Sequence, residues 1–171
     1  MDSMVANYTA KKKKRHNDDL TPGGINNKRP DRAIIRYTNL IKQFSPTKIP
    51  IILGGIEATL RRVAHYDYWS DTIRKSILLD SKADILVYGE GERTILELAN
   101  MLKIKKSPQI EPDLLLHQRG ICFLGSTSNN KFLPVDYLKL PDYDSVVAEP
   151  NKFKDMFDIF YQNNDPLNAK G

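Results

Sequence analysis

Residues 49–62 read IPIILGGIEATLRR: a short isoleucine-rich run, two glycines, then a stretch with helical spacing. A brief apolar run without polar alternation is the form of a strand buried on both faces. Gly54 and Gly55 place a sharp turn at its end. From Ile56 to about Tyr66, the residues Ala58, Leu60, Val63 and Ala64 predict a helix, with Arg61 and Arg62 outward. Residues 85–92, ILVYGEGE, repeat the order, and Ile95, Leu96, Leu98, Ala99 and Leu102 continue it as a helix. Two strand, glycine turn, helix units in series indicate an α/β fold with parallel strands. If the strands are neighbours, both glycine turns share the carboxyl edge of the sheet, where open sheets of this kind bind ligands.

Working outward, Ala33, Ile34, Tyr37, Leu40, Ile41 and Phe44 recur at helical spacing after Pro30, and Ser45 and Pro46 end the pattern. Residues 70–82 do not declare themselves. Past Pro108, residues 120–124 and 131–135 are short β-like runs around a polar STSNN tract, read most simply as a hairpin. A helix is expected over residues 151–162, with Phe153, Met156, Phe157 and Phe160 forming a docking face. The expected organisation is a basic arm or loop at 1–32, an α/β core at 33–107, a hairpin and loop-rich extension at 108–150, and a C-terminal helix and linker at 151–171.

The 171 residues suit one domain, and 40% hydrophobic against 27% charged residues is ordinary for a soluble one. No apolar run reaches the ~18 to 20 residues of a membrane span. The first residues carry no apolar signal region, so a cytoplasmic location away from the membrane is expected. Residues 1–32 hold eight Lys and Arg against four Asp and Glu, and the remainder 18 against 17, so the net charge of +5 belongs almost wholly to the N-terminal stretch. There Lys11, Lys12, Lys13, Lys14 and Arg15 form a run able to neutralise nucleic-acid phosphates. The same run is equally at home as a solvated loop.

Cys122 is the one cysteine, which excludes an intrachain disulfide and any metal motif needing two or more thiolates. His16 and His117 have no ligand-spaced partners, so no metal site is expected. At the glycine turns, Gly54, Gly55, Gly89 and Gly91 suit either a close ligand or a tight turn. Glu90 and Glu92 oppose phosphate, which a cradling loop meets with bare amides and a lysine. They suit ribose hydroxyls, an amine, or the start of a helix. Residues 65–71, HYDYWSD, are densest in groups that stack and titrate. His65 and Asp67 are candidates for an acid–base pair, with Tyr68 and Trp69 beside them, and packing on the sheet is the alternative.

The strings MDSMVANYTA (1–10), TPGG (21–24), KRPDRA (28–33), IILGGIEATLRR (51–62), AHYDYWSD (64–71) and ILLDSKADILVYGEGER (77–93) closely resemble the YgiQ family of radical SAM proteins. The resemblance runs over essentially the whole chain. It implies an accessory domain ahead of a radical SAM barrel, in cis or on a split chain, whose CxxxCxxC cysteines hold a 4Fe-4S cluster that reductively cleaves S-adenosylmethionine. That motif is absent from this chain. The GGIEA and YGEGER segments are also similar to loops of cobalamin-binding domains, implying a Rossmann-like or cobalamin-binding-domain-like sheet; the DxHxxG signature supplying a cobalt ligand is absent. On this resemblance Gly54, Gly55, Glu57, His65, Asp67, Tyr68, Trp69, Gly89, Glu90, Gly91 and Glu92 form a lid or substrate surface without radical chemistry of its own. Family members begin upstream of the equivalent of Met1, so an internal piece with an open sheet edge and bare helix faces is expected. The competing expectations are a nucleic-acid-binding module using the basic run, and a cobalamin or nucleotide site at the glycine turns.

Overall fold

A computed structural model describes residues 3–17, 22–26, 28–105, 112–125 and 137–164. The chain divides into two compact units, Met1–Val63 with Ser76–Gly125, and Ala64–Lys75 with Ser126–Gly171. The first is built on a three-stranded sheet. Strand β1 (Ile52–Leu53) pairs in parallel with β4 (Ile85–Val87), in the register Ile52 to Ile85 and Leu53 to Leu86. The parallel pair expected from the two glycine-closed runs is therefore present.

The sheet as a whole is mixed. Strand β5 (Ile121–Phe123) joins the other side of β4 in antiparallel register, Leu86 opposite Cys122. The run at residues 120–124, read as half of a separate hairpin, is thus the third strand of the main sheet; its expected partner, 131–135, lies outside the described residues. Alternation along all three strands sorts the side chains onto two faces. Ile51, Leu53, Leu86 and Cys122 meet Ile34 and Ile35 of α2 (Ala33–Phe44), Ala58 of α3 (Gly55–Leu60) and Ile77 and Leu78 of α4 (Ile77–Ser81). Ile52, Ile85, Val87, Ile121 and Phe123 meet Leu98 and Met101 of α5 (Glu92–Lys105) and Leu115 of α6 (Pro112–Leu115). Such a double-sided burial explains why β4 is apolar at every position.

Helix α3 ends at Leu60, earlier than the spacing through Tyr66 predicts. Beyond it the aromatic and β-branched residues favour strands, and β2 (His65–Asp67) pairs antiparallel with β3 (Thr72–Arg74). The ambiguous stretch resolves into β3 and α4. Ser76 caps α4 by accepting a hydrogen bond from the Leu78 amide on its Oγ at 3.2 Å, and Lys82 closes the helix in a left-handed conformation.

The N-terminal stretch is not all arm. It forms α1 (Ser3–Asn7), which buries Met4, Ala6 and Asn7. The Asn7 Nδ2 donates to Arg29 O at 3.1 Å and to Asp31 Oδ1 at 2.9 Å, and Tyr8 donates its hydroxyl to Asp31 Oδ2 at 2.9 Å. Buried Asn26 donates to the Asn7 and Arg15 carbonyls. Polar residues that read as coil formers are holding a loop in place.

The second unit contains the β2–β3 hairpin, α7 (Tyr143–Ala148) and α8 (Pro150–Gln162). The Tyr143 hydroxyl donates to Ile73 O at 3.0 Å, and Lys75 Nζ lies 4.9 Å from the Tyr143 ring centre. Helices α7 and α8 pack on each other, with Val146 and Met156 buried. On the expected docking face, Met156 is buried, Phe153 and Phe160 are half-buried, and Phe157 is exposed and stacks on Tyr161 with ring centres 5.9 Å apart.

Candidate functional site

Parallel pairing of β1 and β4 puts both glycine turns beyond the same carboxyl edge. A side chain at Gly54 would meet only the Val87 carbonyl, at 4.0 Å. The Gly54 backbone is extended, open to any residue. Gly55 and Gly89 have φ of +83° and +72°, so there the turn itself requires glycine. Gly91 is needed for a different reason: its Cβ would stand 2.6 Å from Val87 Cγ1. Of these four glycines, only Gly54 lacks a demand from backbone angle or close contact.

The acidic residues divide in the same way. Glu90 and Glu92 are exposed at the turn into α5, placed where the helix dipole favours a carboxylate. Glu57 is buried and forms an ion pair with Arg61 at 3.2 Å, one helical turn away. Breaking such a pair would leave a buried charge uncompensated.

A group unforeseen from the sequence lies at this edge. The guanidinium of Arg62 lies 4.8 Å from the Tyr88 ring centre and donates to Thr59 O. Cys122, brought across by β5, completes the group. Burial pushes the Arg62 guanidinium down, and pushes the Tyr88 phenol and the Cys122 thiol up. Gly120 also reaches the edge, its carbonyl accepting from the Tyr88 amide at 3.0 Å. The only hint in the sequence is that Arg62 follows the first glycine unit and Tyr88 closes the second strand. Arg62 and Tyr88 meet where α3 packs on β4, and Cys122 reaches them on β5, whose insertion no local pattern announces. A raised and partly buried thiol reacts slowly, since the thiolate is the nucleophile. Alkylation of Cys122 by iodoacetamide at pH 8 is expected to run at least ~10-fold slower in the native protein than in urea; equal rates would show an open, ionised thiol.

The HYDYWSD segment belongs to the second unit. His65 and Asp67 fall on the same face of β2, with Tyr66 on the other. Asp67 is buried and accepts the Ser70 hydroxyl at 2.6 Å, while Tyr66 donates to Asp71 across the turn. Tyr68 is exposed and Trp69 half-buried. These contacts give Asp67, Ser70 and Asp71 a part in closing the hairpin.

The same unit has an open groove of about 640 Å³ with a mixed lining, in which Leu140, Pro141 and Ile159 stand beside Asp142, Lys152 and Asp158. Its carboxylates already have partners. Asp142 caps α7 through the Ser145 amide at 3.0 Å and hydroxyl at 2.7 Å, which hold its carboxyl below the usual range. Asp158 pairs with Lys154 at 2.8 Å.

The basic run forms a turn, with the Thr9 amide donating to Lys13 O at 2.8 Å and Lys12 in a left-handed conformation. Lys11, Lys12, Lys13 and Lys14 are exposed. Arg15 donates through Nε to the Val5 and Tyr8 carbonyls at 3.1 and 2.9 Å, satisfying the end of α1. Among the described residues no three His, Cys, Asp or Glu side chains gather as a metal site, and no helix is long and apolar enough to cross a membrane.

A family model described as "Radical SAM N-terminal" matches residues 1–171. A UPF0313 protein of Fusobacterium nucleatum is 48% identical over 172 residues, which cover 100% of this chain and 28% of that protein. A UPF0313 protein of Thermotoga maritima is 50% identical over 97% of this chain and 28% of its own length. One from Clostridium botulinum strain Okra is 42% identical over 99% and 25% respectively. The chain thus spans about a quarter of the length of these curated relatives. No solved structure matches. The radical SAM family read from the six strings is borne out.

Proposed function

Because the chain belongs to the radical SAM N-terminal family, we propose that it is an accessory domain that shapes substrate access to a reacting domain carried elsewhere in a longer polypeptide. The 4Fe-4S cluster and S-adenosylmethionine belong, on this reading, to that other domain, a radical SAM barrel joined in cis or supplied as a separate chain.

The observation that carries the reading is the donor set. A 4Fe-4S cluster is held by three or four thiolates, and Cys122 stands alone with its thiol pKa raised by burial. The residues present do not fit the cluster. What the chain does offer is an edge where Gly54, Glu90 and Glu92 are exposed, followed by α3, whose Ile56 and Leu60 are largely exposed. Exposed apolar residues and exposed carboxylates suit contact with a second domain or with a substrate bearing hydroxyl or amine groups. His65, Asp67, Tyr68 and Trp69 are kept as candidates for substrate contact from the second unit.

Anaerobic reconstitution with iron and sulfide tests this directly. The isolated chain is expected to acquire no stoichiometric cluster and to release no 5′-deoxyadenosine from S-adenosylmethionine, while the longer protein does both. A cluster on the isolated chain that cleaves S-adenosylmethionine would overturn the reading.

A further inference from the structure

Helix α2 has two apolar aspects, and the sheet uses one. Ile34 and Ile35 pack on the core, and Thr38 is buried with them. Lys42 reaches the Lys82 carbonyl that closes α4, so this side of the helix is fixed to its own unit. Tyr37, Ile41 and Phe44 lie at i, i+4 and i+7, on a stripe beside that face, and are 49%, 41% and 71% exposed. A helix at a protein surface ordinarily shows one apolar stripe, facing the core, with polar residues opposite. A second stripe with alternating spacings of four and three is the pattern of a helix–helix seam.

The charges beside the stripe point to the occupant. Arg36 is exposed on the polar flank, Lys48 is exposed just past the helix, and α2 carries no carboxylate. Two copies of this stripe face to face would bring like charges together, which disfavours self-association. Most of each relative's length lies outside the region this chain matches, so a longer polypeptide has ample further segments to supply the cover.

We propose that the Tyr37, Ile41 and Phe44 stripe is the seat of an amphipathic helix with acidic flanks, supplied by the part of the longer polypeptide outside these 171 residues. Apolar side chains of that helix cover the stripe, and its carboxylates meet Arg36. The inference concerns assembly and holds whichever reaction the longer protein performs.

Photo-crosslinking in the full-length protein tests it. With p-benzoylphenylalanine in place of Phe44, and separately of Tyr37, irradiation is expected to link both positions intramolecularly to one apolar segment bearing Asp or Glu, from outside the 171 residues. Arg36→Glu is expected to reduce that crosslink at least ~5-fold by placing like charges together, and Arg36→Lys to retain it. A crosslinked dimer, a link within the 171 residues, a partner segment without carboxylates, or no adduct at either position would each overturn the proposal. Incorporating the probe at a largely exposed residue keeps folding out of the readout, and equal far-ultraviolet circular dichroism of the variants confirms it.

Discussion

Gly91→Ala is expected to destabilise the protein by about 1 to 2 kcal/mol, read as a lower urea midpoint at unchanged slope. The new methyl would stand 2.6 Å from Val87 Cγ1, and Val87 is buried on the face that meets Leu98 of α5. Valine is stiff at its first side-chain torsion, and turning it away costs roughly 0.5 to 1.5 kcal/mol. The start of α5 is anchored as well, through the Ile95 amide on the Gly91 carbonyl at 2.8 Å. Alanine offsets part of the cost by restricting the unfolded chain, about 0.4 to 1 kcal/mol. A double-mutant cycle with Val87→Ala isolates the clash. The two substitutions together should cost about 1 kcal/mol less than their sum, because the second removes the atom the first collides with. Simple additivity would show that Gly91 is not glycine for this reason. Gly54→Ala is the internal comparison: extended and uncrowded, it should leave stability nearly unchanged. A loss of activity from Gly54→Ala in the longer protein would then report contact at the edge and not a strained turn.

How far these residues could be read in sequence depended on whether their reason was local. Strands β1 and β4, helix α2, helix α5 and helix α8 carry continuous apolar periodicity, and each was placed to within a few residues. The glycine pattern was equally visible. Its cause was not, since backbone angle at Gly89, a side-chain collision at Gly91 and neither at Gly54 look identical as letters. Strand β5 escaped because an antiparallel partner for β4 can come from anywhere in the chain, and residues 120–124 also suit a hairpin. Its placement in turn brings Cys122 to the Arg62 and Tyr88 pair, residues remote from it in sequence. The candidate pair His65 and Asp67 illustrates the opposite case. Their spacing on one strand face was legible, but the Ser70 hydroxyl that engages Asp67 depends on how the β2–β3 turn closes. Residues 1–32 read mainly as charge, while the fold there depends on Asn7, Asn26 and Asp31: the two amides donate to backbone carbonyls of separate segments, and the Asp31 carboxylate accepts the Asn7 and Tyr8 side chains.

Leu86→Ala is expected to have the largest effect on stability, about 3 kcal/mol within the usual range of 2 to 5 for a buried leucine. Leu86 is fully buried at the centre of the middle strand, with Leu53 on one side and Cys122 on the other. Packed with it are Ala58, Ile77 and Leu78 of α3 and α4, with Ile51, Leu53 and Ala83, all buried, so the cavity is enclosed by close-packed side chains. Leu86→Met, which conserves volume, should cost less than about 1.5 kcal/mol. Leu96→Ala, on the exposed side of α5 at 66% exposure, should fall within about 0.5 kcal/mol of the parent. Urea unfolding of the four proteins orders them. If Leu86→Ala and Leu96→Ala were equally mild, β4 would not be the central strand, and the shared edge that brings Gly54 and Glu90 near one another would lose its support. If the order holds, the glycine turns rest on the most stable part of the unit. A surface placed there keeps its shape while a substrate or a neighbouring domain comes and goes, which is what the proposed accessory role would require.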